Sequence, residues 1–257
     1  MLFNSYLLPE TTAYLAQCTT QPSAKWTNAL NTLIRQLIID GNWQQLDRMW
    51  IFAAEGARQN ARINVVNPAN TGTWVSEVDP THLTWTADYG YTGNGSSSYL
   101  NTNFNPSTAA NYKTTNANYG IYSQSNARFT SSVDIGATDG TNIIGGQINR
   151  ASNMGPEFYI NSSVNDLVAS TSASTGLYSI VRTGSTASAL WVNGTSILTS
   201  TTSSTAIPSK NVYILGYNNN GTASNFSTRP ISIGFLGSGG IYQAKLSLAI
   251  NGFMGAI

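Results

Sequence analysis

The chain carries one cysteine, Cys18, and one histidine, His82, in 257 residues. A single cysteine excludes an internal disulfide framework and a cysteine-rich zinc site. A single histidine leaves little material for a histidine metal centre or a serine–histidine relay, and both residues read as ordinary buried or loop positions. Charge is also scarce. Only 9% of residues are Asp, Glu, Lys or Arg, against roughly 25% in a typical soluble domain. The net charge of +1 gives no basic stripe for nucleic acid. No stretch reaches the roughly 18 consecutive apolar residues that span a bilayer, so membrane insertion is not expected. Met1 to Glu10 lacks a positive n-region, and Pro9 and Glu10 interrupt its apolar stretch; it does not read as a signal peptide.

What fills the chain is uncharged polarity. Ser, Thr and Asn together number 88, beside 23 Gly and 13 Tyr. The composition divides the chain into residues 1–62, a helical segment for assembly or docking, and 63–257, a β-sandwich. In the first part Leu30, Leu33, Ile34, Leu37 and Ile38 fall on one helical stripe. Ser23 is placed to cap that helix and Gly41 to end it. A second helix is read from Trp43, Leu46, Trp50, Ala53 and Ala54, which makes the pair a helical hairpin, and residues 11–17 form a shorter helical candidate. Two helices alone bury little, so Leu30, Leu33, Leu37, Trp43, Leu46 and Trp50 are the expected assembly interface, packed on the sandwich or on a second protein.

From Ile63 the rhythm changes. Asn67-Pro68 and Asp79-Pro80 break helices. Short β-branched and aromatic runs follow every 8 to 12 residues or so, at 83–86, 98–102, 117–123, 129–137, 142–148, 157–160, 176–182, 187–192, 195–199, 212–217 and 230–236. Asn193-Gly194 sits between two apolar runs and signals a type I′ hairpin turn. Residues 242–254 read as a closing helix.

The run from Leu177 to Arg182, Gly184-Ser185 and Leu190-Trp191-Val192-Asn193-Gly194 resembles the concanavalin A-like jelly rolls of the laminin-G and pentraxin type. The strands at 212–216 and 231–235 extend the likeness over about residues 83–240. The segment from Thr86 to Leu100, with Phe104-Asn105-Pro106-Ser107-Thr108, resembles bacteriophage virion and prophage proteins. In that group a helical hairpin often precedes the jelly roll. The resemblance implies a mainly β chain, a jelly-roll sandwich behind a helical hairpin, located in the virion.

Catalytic grammar is thin. Glycoside hydrolysis generally uses two facing carboxylates. Glu77 and Asp79 stand before Pro80, Asp134 and Asp139 differ in parity, and Glu157 stands alone, so these read as turn and surface groups. No Gly-x-Ser-x-Gly elbow occurs, and the glycines at 234–240 lack the Lys-Ser/Thr of a phosphate loop. Asp139 and Asn142, in an Asp-Gly turn, are weak metal-ligand candidates. Tyr89, Tyr91, Tyr217, Asn218, Asn219 and Asn220 lie in loops with sugar-binding chemistry, aromatic faces beside amides. Trp85 and Trp191 read as sheet packing. The expectation is a phage virion structural protein, not an enzyme and without a cofactor, whose partners are virion proteins and copies of itself. The alternative is a carbohydrate-binding adhesin for a host surface glycan, and a glycan hydrolase comes third.

Overall fold

The computed structural model describes residues 6–75, 83–127, 132–150, 155–164, 166–170 and 175–257. Glu77, Asp79 and His82 lie outside the described residues, as does the start of the strand expected at 129–137. Two helices, α1 (Pro9–Ala16) and α2 (Ala24–Ile39), lead into β1 (Leu46–Ile51). Then come β2 (Thr73–Val75), β3 (Leu83–Thr86), β4 (Gly90–Gly93), β5 (Tyr99–Asn101), β6 (Ala117–Ser123), β7 (Ile135–Thr138) and β8 (Ile143–Arg150). They continue as β9 (Gly155–Ser162), β10 (Leu167–Val168), β11 (Gly176–Gly184), β12 (Ala187–Val192) and β13 (Thr195–Ser200). The last are β14 (Tyr213–Ile214), β15 (Tyr217–Asn219), β16 (Thr222–Ser224), β17 (Pro230–Gly237) and the closing helix α3 (Gln243–Ala256).

Among the described residues the strands form two sheets. The first runs β13-β12-β11-β6-β17-β4-β3, with β1 also paired to β17. The second runs β10-β9-β8-β7-β14-β5-β2, with β15 beside β7 and β16 beside β15. All pairings are antiparallel except β15 with β7. The Asn193-Gly194 turn joins β12 to β13 with both residues at positive φ, 49° and 81°. Asn193 Oδ1 also accepts from Leu177 N at 2.8 Å, tying the turn to β11.

Helix α2 forms as its stripe predicts. Ser23 Oγ accepts from Trp26 N at 3.2 Å, and Gly41 follows the helix at φ 71°. The expected second helix is not there. Trp43–Gln45 makes one 3₁₀ turn, and Leu46–Ile51 then pairs with β17 as a strand, so the N-terminal helices are α1 and α2 and the hairpin expected over residues 24–54 does not form. The misleading pattern has a physical source. Strand β1 is buried on both faces, and such a strand shows no alternation to distinguish it from a buried helix.

The docking stripe is likewise spent within the chain. Leu30, Leu33, Leu37, Leu46 and Trp50 are at most 3% exposed, and Trp43 packs half-buried against the same core. The Trp26 ring stacks on Tyr14 and meets Phe253 of α3 edge-on, each at 5.7 Å between centroids. Each buried leucine contributes roughly 1.5–3 kcal/mol by leaving water. Residues on both sides of position 62 share this core, from Leu30 and Trp50 to Ile233 and Phe253.

Two fully buried ion pairs clamp the sheets together. Arg182 of β11 meets Asp166, just before β10, at 2.6 Å. Arg229, just before β17, meets Asp134, just before β7, at 2.9 Å. Asp134 is thus neither a turn nor a surface group. It accepts from Ser227 Oγ at 2.6 Å and Ile148 N at 2.8 Å as well.

Candidate functional site

Register builds a groove on the outer face of the second sheet. Tyr159 of β9 pairs with Gly145 of β8, Gly145 with Gly136 of β7, and Gly136 with Tyr213 of β14. Paired residues share a face. Their strand neighbours Phe158, Ile160, Ile144, Ile135 and Ile214 are fully buried in the core, so the row faces outward. Three strand spacings make it about 14 Å long. At Gly145 the row is bare backbone, with Tyr159 beside it.

Tyr217 completes the wall. Leu215, at φ 63°, and Gly216 turn the chain so that β15 runs parallel to β7, with Asn218 opposite Ala137. The Tyr217 ring then lies across Gly136, where a Cβ would stand 2.8 Å from Tyr217 Cδ2. A side chain on Gly136 would therefore displace the ring. The depression has a volume of about 220 Å³ and is lined by Tyr217, Tyr159, Glu157, Arg150 and Gln147.

Its polar groups converge. Glu157 is buried, Arg150 NH1 donates to Glu157 Oε2, and Tyr159 OH donates to Glu157 Oε1 at 3.0 Å. The hydrogen bond to Glu157 raises the Arg150 pKa. Burial, then the Glu157 charge, pushes Tyr159 up to about 12, so its phenol stays a donor. Burial raises Tyr217 as well. From the opposite sheet, buried Tyr119 OH donates to Tyr159 O at 2.7 Å and accepts from Gly145 N at 3.1 Å.

Of the residues expected to bind sugar, Tyr217 alone lines this groove. Tyr91 is 1% exposed, packs against Phe52 and donates its hydroxyl to Arg58 O at 2.8 Å, so no ligand reaches it. Tyr89 is 39% exposed on the β3–β4 turn of the other sheet. Asn218 is buried and structural. Its amide donates to Asn211 O at 2.8 Å, and its Oδ1 accepts from Gly221 N at 2.7 Å. Asn219 ends β15, and Asn220, at φ 51°, turns the chain into β16.

The Asp139–Asn142 pair is a turn cap and not a cation site. Asp139 Oδ1 accepts from Thr141 N at 3.1 Å and Asn142 N at 2.9 Å, and Oδ2 accepts from Asn142 Nδ2 at 3.1 Å. Asn142 Oδ1 accepts from Ala206 N at 3.1 Å. Burial acts to raise the Asp139 pKa, but the hydrogen bonds from Asn142, Thr141 and Ser209 outweigh it and hold the carboxyl below its ordinary value. Among the described residues no cluster of three or more His, Cys, Asp or Glu is placed to hold a metal.

Sequence reasoning took Glu157, here buried, for an isolated surface carboxylate, and missed Tyr159, Arg150 and Gln147. The signal was Glu157-x-Tyr159, two residues apart on a strand and so on one face; its meaning needed the register with β8, where Gln147 opposes Glu157.

No protein-family model matches the chain, and no curated protein matches it in sequence. Solved structures do match in fold. A mutant of Trypanosoma rangeli sialidase displaying trans-sialidase activity superposes with a TM-score of 0.54 at 11% identity, over 89% of this chain. This chain spans only 39% of that sialidase. Domain 4 of AbnA, a GH43 extracellular arabinanase from Geobacillus stearothermophilus, was solved in complex with arabinotriose. It superposes with a TM-score of 0.51 at 12% identity, over 80% of this chain and 98% of the domain.

The architecture is therefore a β-sandwich of the concanavalin A-like, jelly-roll type, mainly antiparallel, with helices at both ends. The expectation that the chain is not an enzyme is corrected here. The solved structures that share the fold are sialidase chains and a domain of a GH43 arabinanase.

Proposed function

We propose that the chain binds carbohydrate, with the groove over Gly145 and Gly146 as its sugar site. The depression over Gly145 and Gly146, walled by the Tyr159 and Tyr217 rings, carries this reading. A sugar ring lays its C–H face on an aromatic ring, and the glycines let it approach the backbone. Its hydroxyls then meet a carboxylate, a guanidinium and an amide, from Glu157, Arg150 and Gln147. The arabinotriose bound to the arabinanase domain of the same fold supports a short oligosaccharide as the ligand.

Calorimetric titration with arabinotriose and a panel of host-envelope glycans tests the proposal. Tyr217→Ala and Glu157→Gln are expected to weaken binding at least about tenfold, roughly 1.4 kcal/mol. Tyr89→Ala, on the other sheet, leaves it unchanged. Chromatography of the same mixtures reads whether a bound glycan is also cleaved. No binding across the panel, or wild-type affinity in Tyr217→Ala, refutes the site.

The virion setting is carried by the sequence resemblance at residues 86–100 and 104–108. Mass spectrometry of purified particles containing the chain tests it.

A further inference from the structure

A second groove lies on the opposite face of the sandwich. Helix α3 packs on the outer side of the first sheet, where Gly194 of the β12–β13 turn approaches Ala244 and Ser247 and where Ser179 Oγ donates to Gln243 Oε1. Between the start of α3 and strands β11 to β13 a trough of about 430 Å³ remains, floored by Val181 and Ala189. Trp191, expected to pack in the sheet, stands half-buried in its wall, and Tyr242 stands 58% exposed in the other.

Two properties define what fits. No Asp, Glu, Lys, Arg or His lines the trough. Among the described residues, the Trp191 indole N–H, the Tyr242 hydroxyl and the hydroxyls of exposed Thr183, Thr186 and Thr199 have no hydrogen-bond partner in the chain. Aromatic faces beside unspent hydroxyls, with no charge, match a polyhydroxylated uncharged chain. An anionic ligand would find no cation there, and a cationic one no carboxylate. The first groove is different, because Arg150 and Glu157 give it both signs.

We infer that this trough is a second binding site, for a neutral oligosaccharide, independent of the groove over Gly145. The outer face of the second sheet contributes no residue to its lining, so the two sites stand or fall separately.

The test follows the indole N–H resonance of Trp191, assigned by its loss in Trp191→Phe, in full-length protein. The probes are cellohexaose, xylohexaose, maltohexaose and arabinohexaose, with hexagalacturonate as the acidic comparison. At least one neutral hexasaccharide is expected to shift the resonance saturably, and hexagalacturonate is not. Tyr242→Ala, an exposed position whose loss leaves the fold intact, should weaken that binding at least tenfold, and Tyr217→Ala should leave it unchanged. Three results overturn the inference: silence of the Trp191 signal with every neutral sugar, disappearance of the shift in Tyr217→Ala, or wild-type affinity in Tyr242→Ala. Sedimentation showing that the face pairs two copies of the chain, in a way Tyr242→Ala abolishes, also overturns it.

Discussion

The buried pair between Asp134 and Arg229 gives the sharpest stability prediction. Asp134→Ala removes the acceptor for three donors: Ser227 Oγ at 2.6 Å, Ile148 N at 2.8 Å and Arg229 Nε at 2.9 Å. Arg229 keeps its bonds to Ser125 O at 2.7 Å and Ala127 O at 3.0 Å, but its fully buried guanidinium loses the Asp134 carboxylate. Breaking such a pair from one side costs about 3–5 kcal/mol. A domain of this size loses about 2–4 °C of melting temperature per kcal/mol, so a fall of about 6–20 °C is expected. Thermal melting by circular dichroism measures it. The double variant Asp134→Leu, Arg229→Met removes both charges and is expected to recover more than half of the loss, because most of the single-variant cost is a buried guanidinium deprived of the Asp134 carboxylate. A melting temperature for Asp134→Ala within about 2 °C of wild type, or a double variant as unstable as the single, would refute the clamp.

Two further outcomes follow from local geometry. Gly194→Ala places a methyl group at φ 81°, 3.0 Å from Ser247 Cβ, and is expected to cost about 1–3 kcal/mol in urea unfolding while leaving the Asp139 turn untouched. Tyr159, at about 12 in the folded chain against about 10 when unfolded, holds its proton more tightly in the native state, so its stabilisation is complete below about pH 10 and disappears as pH rises towards about 12. Buried Tyr112 and Tyr119 shift in the same direction, so absorbance at 295 nm should show their phenolates only together with unfolding.

Much of the fold was legible because its signals are local. Asn193-Gly194 needs only two residues to announce a turn, and Leu30 to Ile38 need only one face of one helix. The reading failed where context decides. Leu46 and Trp50 are apolar at helical spacing because β17 pairs with β1 and the core covers both its faces, and Ala53 and Ala54, just beyond β1, are buried in the same core. The site was legible in kind and not in place. Tyrosine beside amide chemistry was visible at Tyr91 and Tyr217 alike, but Phe52 packs against the first, while Gly136 seats the ring of the second at the wall of the depression. Glu157 looked solitary because Arg150 and Gln147, its neighbours, reach it only across a strand pairing with shifted register.

The Tyr119 hydroxyl has a consequence for recognition. It spans the sandwich and fixes two backbone groups beneath the groove, Tyr159 O and Gly145 N, from the far sheet. Burial keeps that phenol protonated, so the strut persists at every physiological pH. The floor of the groove is therefore set before any ligand arrives, and a sugar settling there does not have to order it. Selectivity then becomes a question of shape against a rigid template. A ring pucker or substituent that does not fit cannot be accommodated by local breathing of β8, because moving Gly145 would require tearing a bond that belongs to the other half of the molecule.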